Sequence, residues 1–439
     1  MRKSNLCSVV ALTMLCAATV HGYAQQQLLS MTLEECLDYA KENSISLKKA
    51  QLEIDNSEAD IVSAKGSFLP TVSGSASQSV GINPLADDSN GYYSGSYGVD
   101  MSMKLYGGGE NKMQLKKSHI NAEVATLDYD ESANALDVSV AEVYVEILYS
   151  IEQIKVAESG LELSVQNEAR GKAFLEAGSI NEADYAQLQS AKASYQYNVI
   201  VAQTQLSNLY VSLKHLLELP QDVILSAKAP VLSDDIMLEV LPTAGEVYDS
   251  AIESRPEILS SQLSISTAEI DAQIAKTGYL PTLSLSAGVG VNHNSASDFS
   301  FSTQARNNFD ASAGLNLSVP IFSQYKNRVA VRQANNDVES ANLTFAQTEK
   351  DLYQTIETLY NNALTAQAKY SVSQFQLEAT QKSLDLTTQQ FEVGAKNTIE
   401  LLTEQNNYNE AYQEFLTNKY QYLYNRAILN YYKTNIIKL

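Results

Sequence analysis

Apolar residues in two long tracts of the chain recur with the spacing of helices that pack along one seam. In the first tract, steps of four and three residues join Val140, Tyr144, Ile147, Ile151 and Ile154. In the second tract, the same steps join Leu352, Ile356, Leu359, Ala363, Ala366 and Tyr370. All eight prolines lie outside residues 109–217 and 323–439, and proline interrupts helices. Both tracts are therefore predicted to be helical.

Each tract contains one break, where a glycine is followed by small or polar residues. The breaks contain Gly178 and Ser179 in the first tract, and Gly394 and Ala395 in the second. Glycine commonly ends one helix, and a following Ser or Asn caps the next. The pattern predicts two antiparallel helical hairpins, at about 109–217 and 325–433, with these residues at the tips.

Four short segments alternate apolar and polar residues with period two. They lie at about 71–83, 95–106, 282–293 and 308–322. One side of each is mainly aliphatic, and the other is mainly Ser, Gly and Asn. The charged or amide residues on the polar side that are expected to face the lumen are Asp100, Lys104, Asp310 and Asn316. Such alternation is typical of strands that separate membrane from water. The strands of a soluble sandwich alternate as well, so that interpretation remains open.

Aromatic residues lie near both ends of the predicted strands. The candidates for two interfacial girdles are Phe68, Tyr97, Tyr106, Tyr279, Phe309 and Phe322. The alternative is that these are ordinary loop aromatics, because tyrosine is common throughout this chain. Four strands cannot close a membrane barrel, which needs about eight. Several copies of the chain are therefore expected to share one barrel with a water-filled lumen.

The chain is also an internal repeat. The segment AKGSFLPTVSGSASQS from Ala64 resembles AKTGYLPTLSLSAGVG from Ala275. The similarity continues on both sides, which predicts repeat 1 at 25–217, repeat 2 at 244–439, and a linker at 218–243 that carries three prolines. A duplicated unit usually implies pseudo-symmetry, with neither copy complete alone.

The N-terminus and the composition restrict the class of protein further. Residues 1–24 combine a basic start, a short apolar run and a small-residue cleavage site, which predicts a secretory signal peptide. Its removal would leave Cys36 as the one cysteine, with no role that the sequence predicts. The net charge of −21 argues against a nucleic-acid partner. The isolated histidines and the absence of catalytic motifs predict no enzyme activity, no cofactor and no metal site.

The ordered set of features resembles the TolC-like outer-membrane efflux proteins. That set is a helix, a [FY]-L-P-T strand start, a second strand ending in an aromatic, and a long hairpin, and it occurs twice. The resemblance implies a mixed α and β membrane protein: a homotrimer with a twelve-stranded β-barrel, four strands from each chain, continued by a long α-helical periplasmic barrel. It implies the outer membrane of a Gram-negative bacterium as the location, lipid contact there, and partnership with a periplasmic adaptor and an inner-membrane transporter. The expected function is the exit duct of an efflux or type I secretion system. The cargo and the class of pump are not predicted.

The same resemblance suggests candidates for an entrance gate near the hairpin tips. Glu400 occupies the position of the residue that forms the first acidic ring of the pore in that family. Thr403 occupies the position for the second ring, which would be uncharged here unless the neighbouring Glu404 substitutes. Lys396 takes the place of a basic residue that tethers the closed tips. Asp184 and Gln187 are the corresponding residues of repeat 1. The resemblance also implies that the tips dock the adaptor. Ordinary solvated helix charges are the competing interpretation of these residues.

Two other classes of protein share some of these features. A trimeric surface adhesin can also donate four strands from each chain, but it places them together at its C-terminus. In this chain a helical hairpin separates the strand pairs. A soluble periplasmic coiled-coil adaptor would share the long helices.

Overall fold

The computed structural model describes residues 28–82, 91–230 and 240–439, and the predicted signal peptide lies outside them. The chain divides into two compact units. The first, here called the hairpin unit, comprises the described residues of Met1–Ile45, Ala135–Thr243 and Leu359–Leu439. The second, here called the sheet unit, comprises those of Ser46–Asn134 and Ala244–Thr358.

The described elements are six strands and nine helices. In chain order they are β1 (Leu28–Met31), α1 (Leu33–Asn43), α2 (Ile45–Gly66), β2 (Thr71–Ile82), β3 (Gly91–Gly107), α3 (Glu110–Glu176), α4 (Glu182–Leu216), β4 (Ile224–Ala227), α5 (Ala244–Ser254), α6 (Pro256–Thr277), β5 (Thr282–Asn294), α7 (Phe301–Asn307), β6 (Asp310–Ser318), α8 (Lys326–Glu392) and α9 (Thr398–Thr434).

The four alternating segments form one antiparallel sheet in the sheet unit, in the order β2-β3-β5-β6. Strand β3 begins at Gly91, earlier than the predicted residue 95. Strand β6 ends at Ser318 and not near the predicted residue 322. Pro320 follows two residues after Ser318, and it has no backbone N–H to donate to a neighbouring strand. The short helix α7, between β5 and β6, was not predicted from the sequence.

The hairpin unit has an apolar core built from helices that are distant in sequence. Residues of α1, α3, α4, α8 and α9 meet there. Several seam residues of the sequence pattern lie in this core, with Val140, Tyr144 and Ile147 fully buried, whereas Leu352 and Ile356 belong to the sheet unit. Burial of such side chains contributes about 1.5–3 kcal/mol each, so this core holds the helices together.

Strands β1 and β4 form a short parallel pair at the edge of this core. The Tyr144 hydroxyl donates to the carbonyl oxygen of Lys228 at 2.6 Å, directly after β4. The same hydroxyl lies 3.1 Å from the carbonyl oxygen of Met31, in β1. Cys36 of α1 is also fully buried, and this burial raises the pKa of its thiol to about 12. The thiol is therefore protonated at neutral pH, as expected for a packing residue.

Candidate channel surfaces

The strand register aligns the side chains of all four strands on two opposite faces. Residues directly opposite each other in neighbouring strands share a face. Val99 pairs with Val289, and Leu285 pairs with Leu315, on the apolar face. Because one residue of slip would exchange the faces of a whole strand, this register gives the sheet one apolar and one polar side.

The polar face carries the four charged or amide residues that the sequence indicated. Asp100, Asp310 and Asn316 are exposed. Gly288 lies opposite Asp100, and a Cβ atom there would lie 2.8 Å from an oxygen of its carboxylate, so glycine leaves space for that group. Lys104 donates to Glu110 Oε2 at 3.0 Å, so its charge is paired.

A β-bulge interrupts the alternation at the end of one strand. The register of β3 against β5 shifts between Lys104 and Tyr106, so Leu105 has no direct partner and Tyr106 pairs with Leu283. Tyr106 follows Lys104 of the polar face by two residues, so strict alternation would place it on that face. The extra residue of the bulge instead places Tyr106 on the apolar face.

The aromatic candidates at the two ends of the sheet have different surroundings. The four at the end where the sheet joins the helices α2, α3, α6 and α8 are 42–73% exposed, namely Phe68, Tyr106, Tyr279 and Phe322. At the other end Phe309 is also exposed, but the Tyr97 ring stacks on His293 with centroids 6.0 Å apart. Gly95 faces His293, and a Cβ atom on Gly95 would overlap its ring.

The loop between β5 and β6 is fixed by one buried amide that the sequence did not indicate. Gln304 of α7 accepts from the backbone N–H of Asn294 at 2.8 Å. It also donates to the carbonyl oxygens of Asn294 and Phe299, at 3.0 and 2.8 Å. No periodic pattern marks such a residue, because a single glutamine in a polar loop looks like any other.

Both hairpin tips end their first helix in the same way. Gly178 and Gly394 have φ angles of 73° and 74°, in the left-handed region that favours glycine. The next N–H, of Ser179 or Ala395, donates back to Phe174 or Gln390 at 2.8 Å. These are Schellman motifs, which satisfy the last carbonyl groups of each helix.

The second helix of each hairpin begins with an asparagine cap. Asn181 accepts from the backbone N–H of Asp184 at 2.8 Å, and Asn397 accepts from that of Glu400 at 2.9 Å. In repeat 2, Glu400 also accepts from the backbone N–H of Asn397 at 3.0 Å, which completes a capping box. Glu400 is therefore a structural residue of the tip as well as a gate candidate.

Lys396 and Glu400 lie close together where α9 begins. The Lys396 ammonium group donates to a Glu400 carboxylate oxygen across one helical turn. This bond, and then the bond from Asn397, lowers the pKa of the Glu400 carboxyl group. Both side chains remain more than one third exposed, so this is a surface ion pair.

The remaining gate candidates differ in their surroundings. Thr403 is exposed, and its hydroxyl donates to the carbonyl oxygen of Ile399 at 2.8 Å in its own helix. Glu404 accepts from Ser383 of α8 at 2.8 Å, which joins the two helices of the second hairpin. In repeat 1, Gln187 is exposed and Asp184 is half-buried.

The two hairpins contact each other close to their tips, through residues that the sequence did not indicate. The rings of Phe174 and Phe391 meet edge to face, with centroids 5.6 Å apart. Arg170 and Glu392 form an ion pair at 2.9 Å.

No helix of residues 28–82, 91–230 and 240–439 is both long and apolar enough to cross a membrane. In the same ranges, no group of three or more His, Cys, Asp or Glu side chains is arranged to hold a metal ion.

Comparison with known proteins identifies the class. The fold, mostly helical with some strands, is that of the TolC-like outer-membrane channels. The sequence model of the outer membrane efflux protein family matches residues 36–218 and again 247–431. The chain therefore belongs to the outer membrane efflux protein family, and its location is the outer membrane, with extension into the periplasm.

Similar proteins span nearly the whole chain. It is 23% identical over 402 residues to the outer membrane efflux protein BepC of Brucella suis biovar 1, covering 91% of this chain and 84% of that protein. It is 19% identical over 404 residues to the outer membrane protein TolC of Vibrio cholerae, covering 92% and 90%. The crystal structure of the Campylobacter jejuni CmeC outer membrane channel is 18% identical with a TM-score of 0.73, covering 91% and 84%. At this identity, the structural likeness shows the fold.

Proposed function

We propose that this chain works as a homotrimer, the outer-membrane exit duct of a tripartite efflux or secretion system. The duct receives cargo from an inner-membrane transporter through a periplasmic adaptor and releases it outside the cell. Membership of the outer membrane efflux protein family supports this function over an adhesin or a soluble adaptor. The observation that carries the proposal is the register that gives the sheet one apolar and one polar face.

The edges of the sheet support the trimer. Among the described residues, β2 and β6 each pair with one neighbour, which leaves two open edges in each chain. Open edges carry unpaired N–H and C=O groups, and these must find partners inside a membrane. Pairing β2 of one copy with β6 of the next would satisfy both edges. Three copies of four strands would then close a twelve-stranded barrel.

The family match to two segments supports the division into repeat 1 at 25–217 and repeat 2 at 244–439, joined by the linker 218–243. Each repeat supplies two adjacent strands and one hairpin in this proposal. The contact between β3 and β5 then joins repeat 1 to repeat 2 inside one chain.

Cysteine accessibility along β6 tests which face lines the lumen. Single cysteines are placed at Asp310, Ser312 and Gly314 on the polar face, and at Ala311 and Ala313 on the apolar face. Cys36, the cysteine left after the predicted cleavage, is replaced by alanine in every variant. A charged, water-soluble thiol reagent is expected to label the polar-face positions alone. Equal labelling of both faces would contradict a membrane-facing apolar side.

The assembly itself is tested by extraction. Detergent is expected to release the protein from outer membranes as a trimer that dissociates on heating, and planar bilayers should show single channels. A protein recovered as a water-soluble monomer would refute the proposal. This measurement does not depend on knowing the cargo.

The hairpin tips are the proposed docking site for the adaptor, and Lys396 with Glu400, Thr403 and Glu404 the proposed gate. A photo-reactive residue at Ser179 or Ala395 should crosslink the adaptor in living cells, and mass spectrometry should identify it. The matched control is the same residue at the exposed Gln333 of α8, in the sheet unit. Crosslinking of the adaptor from Gln333 alone would move the docking site away from the tips.

A further inference from the structure

Four helix ends meet the same end of the sheet. Helices α2 and α6 lead into β2 and β5, and β3 and β6 lead into α3 and α8. The register places these four junctions together, because Thr71 pairs with Ser102, Gly107 with Thr282, and Thr282 with Ser318. Hydrogen bonds between the connections fix the arrangement, such as Asn111 to the carbonyl oxygen of Ser67 at 2.9 Å.

These junctions have a charge opposite to that of the chain. The formal net charge of the chain is −21. The four segments 62–69, 104–119, 272–281 and 320–336 nevertheless contain nine lysines and arginines and one carboxylate, that of Glu110, while Asp271 and Asp337 lie directly beside two of the segments. A chain this acidic does not gather cations at one level of its fold by composition alone.

Two of the nine cations are paired within the sheet unit. Lys104 pairs with Glu110 at 3.0 Å, and Lys117 pairs with Asp271 at 2.7 Å. The other seven are exposed, and within the described part of the chain no carboxylate lies within ion-pair distance of them. We name these seven the cationic belt: Lys65, Lys112, Lys116, Lys276, Lys326, Arg328 and Arg332.

Part of the cationic belt lies at the start of a helix, where acidic residues are normally favoured. Helix α8 begins at Lys326 and has no acidic residue in its first turn. Lys326 and Arg328 lie in this turn, where the helix dipole already presents positive charge and acidic residues are favoured. The repulsion between these two cations and the helix dipole is not offset by a nearby carboxylate, which indicates that an anion outside the chain offsets it.

The belt is continuous with the surface proposed to face lipid. Phe68, Tyr106, Tyr279 and Phe322 lie at the same four junctions and are exposed. Aromatic rings followed by long cationic side chains are typical of the level where a membrane-spanning surface reaches the headgroups. A purely aqueous surface would not need the exposed aromatics beside the cations.

We infer that the cationic belt binds the phosphate headgroups of anionic glycerophospholipids in the periplasmic leaflet of the outer membrane. The aromatic rings lie at the edge of the acyl chains, and the lysines and arginines reach the phosphates beyond them. The belt thereby fixes the depth of the sheet in the membrane. This inference rests on the proposed membrane insertion of the sheet.

The test compares lipids that carry a spin label at the purified trimer in phosphatidylcholine bilayers. Electron spin resonance gives the association of phosphatidylglycerol relative to phosphatidylcholine. Each lysine or arginine near an anionic lipid favours binding about fivefold, so a preference of about fivefold is expected at low salt. Raising the salt concentration should reduce it, because the charges are exposed.

Replacing all seven belt residues with glutamine should lower the preference to about one. A triple variant, Lys326→Gln with Arg328→Gln and Arg332→Gln, should give an intermediate preference. If the variant with all seven replacements fails to insert into the membrane, the triple variant alone tests the inference. The matched control replaces three exposed lysines outside the belt with glutamine, at Lys49, Lys350 and Lys382, and should keep the wild-type preference.

The outcomes separate this inference from the proposed function. Equal association of the two lipids with an intact, conducting trimer would overturn the belt and leave the duct in place. A changed ion selectivity of the triple variant with unchanged lipid preference would overturn it too, because the cations would then line the lumen. Failure to obtain any membrane-inserted trimer would overturn the duct itself.

Discussion

Replacing Gly394 with alanine isolates the backbone requirement of the hairpin tip. The φ angle of this residue is 74°, and a Cβ atom there would meet no atom within 4 Å. The expected effect is therefore conformational strain without steric overlap. An L-residue in this region costs about 1–2 kcal/mol relative to its usual conformation. The Schellman bonds of Gly394 and Ala395, at 3.0 and 2.8 Å, should open more often by that amount.

Hydrogen exchange measured by mass spectrometry is the assay, applied to peptides that cover residues 387–396. A cost of about 1–2 kcal/mol corresponds to exchange about 5–30-fold faster in this last turn of α8. Gly394→Asn should fall between alanine and wild type, because asparagine enters this region more readily. Exchange that is equal in all three proteins would refute the assigned tip geometry.

Gly66→Ala is the matched control for this series. A Cβ atom added at Gly66 would also meet no atom within 4 Å, but the φ angle of this residue is not in the left-handed region. Alanine is the better helix former, so exchange near the end of α2 should be unchanged or slower. Gly178→Ala should reproduce the Gly394 result at the tip of the first hairpin, where φ is 73°.

Three further predictions concern the hairpin unit. Neutralising the tip pair with Lys396→Met and Glu400→Gln should raise single-channel conductance, and unchanged conductance would count against the gate. In the wild-type protein the ion pair should persist above about pH 4.5 and be lost as the pH falls through the lowered pKa of Glu400. Lys41→Met leaves the buried Asp137 carboxylate without its 2.7 Å partner, and should lower the free energy of unfolding at neutral pH by about 1–3 kcal/mol, with recovery when Asp137→Leu is added. Tyr144→Phe removes the donor to Lys228 and should cost about 1–3 kcal/mol in thermal unfolding, while the exposed Tyr197→Phe should cost nothing measurable.

The sequence alone determined the four long strands, the long helices and the hairpin tips. Period-two alternation identified the four strands, and the spacing of four and three residues identified the long helices and some of the residues buried along them. The tip glycines were likewise predictable, because few other residues end a helix with a positive φ. These properties depend on residues that are close together in the sequence, so the sequence alone is enough to predict them.

The tertiary structure alone decided the features that depend on distant partners. The bulge that turns Tyr106 to the apolar face arises from pairing with β5, about which the alternation of β3 carries no information. The same applies to Gln304 in its loop, to the parallel pair of β1 and β4, and to the bond from Ser383 to Glu404. The cationic belt belongs here too, since its residues are scattered through the sequence and only the sheet register brings their four junctions to one level. Contacts between residues far apart in the chain depend on how the elements pack, and no periodicity encodes that packing.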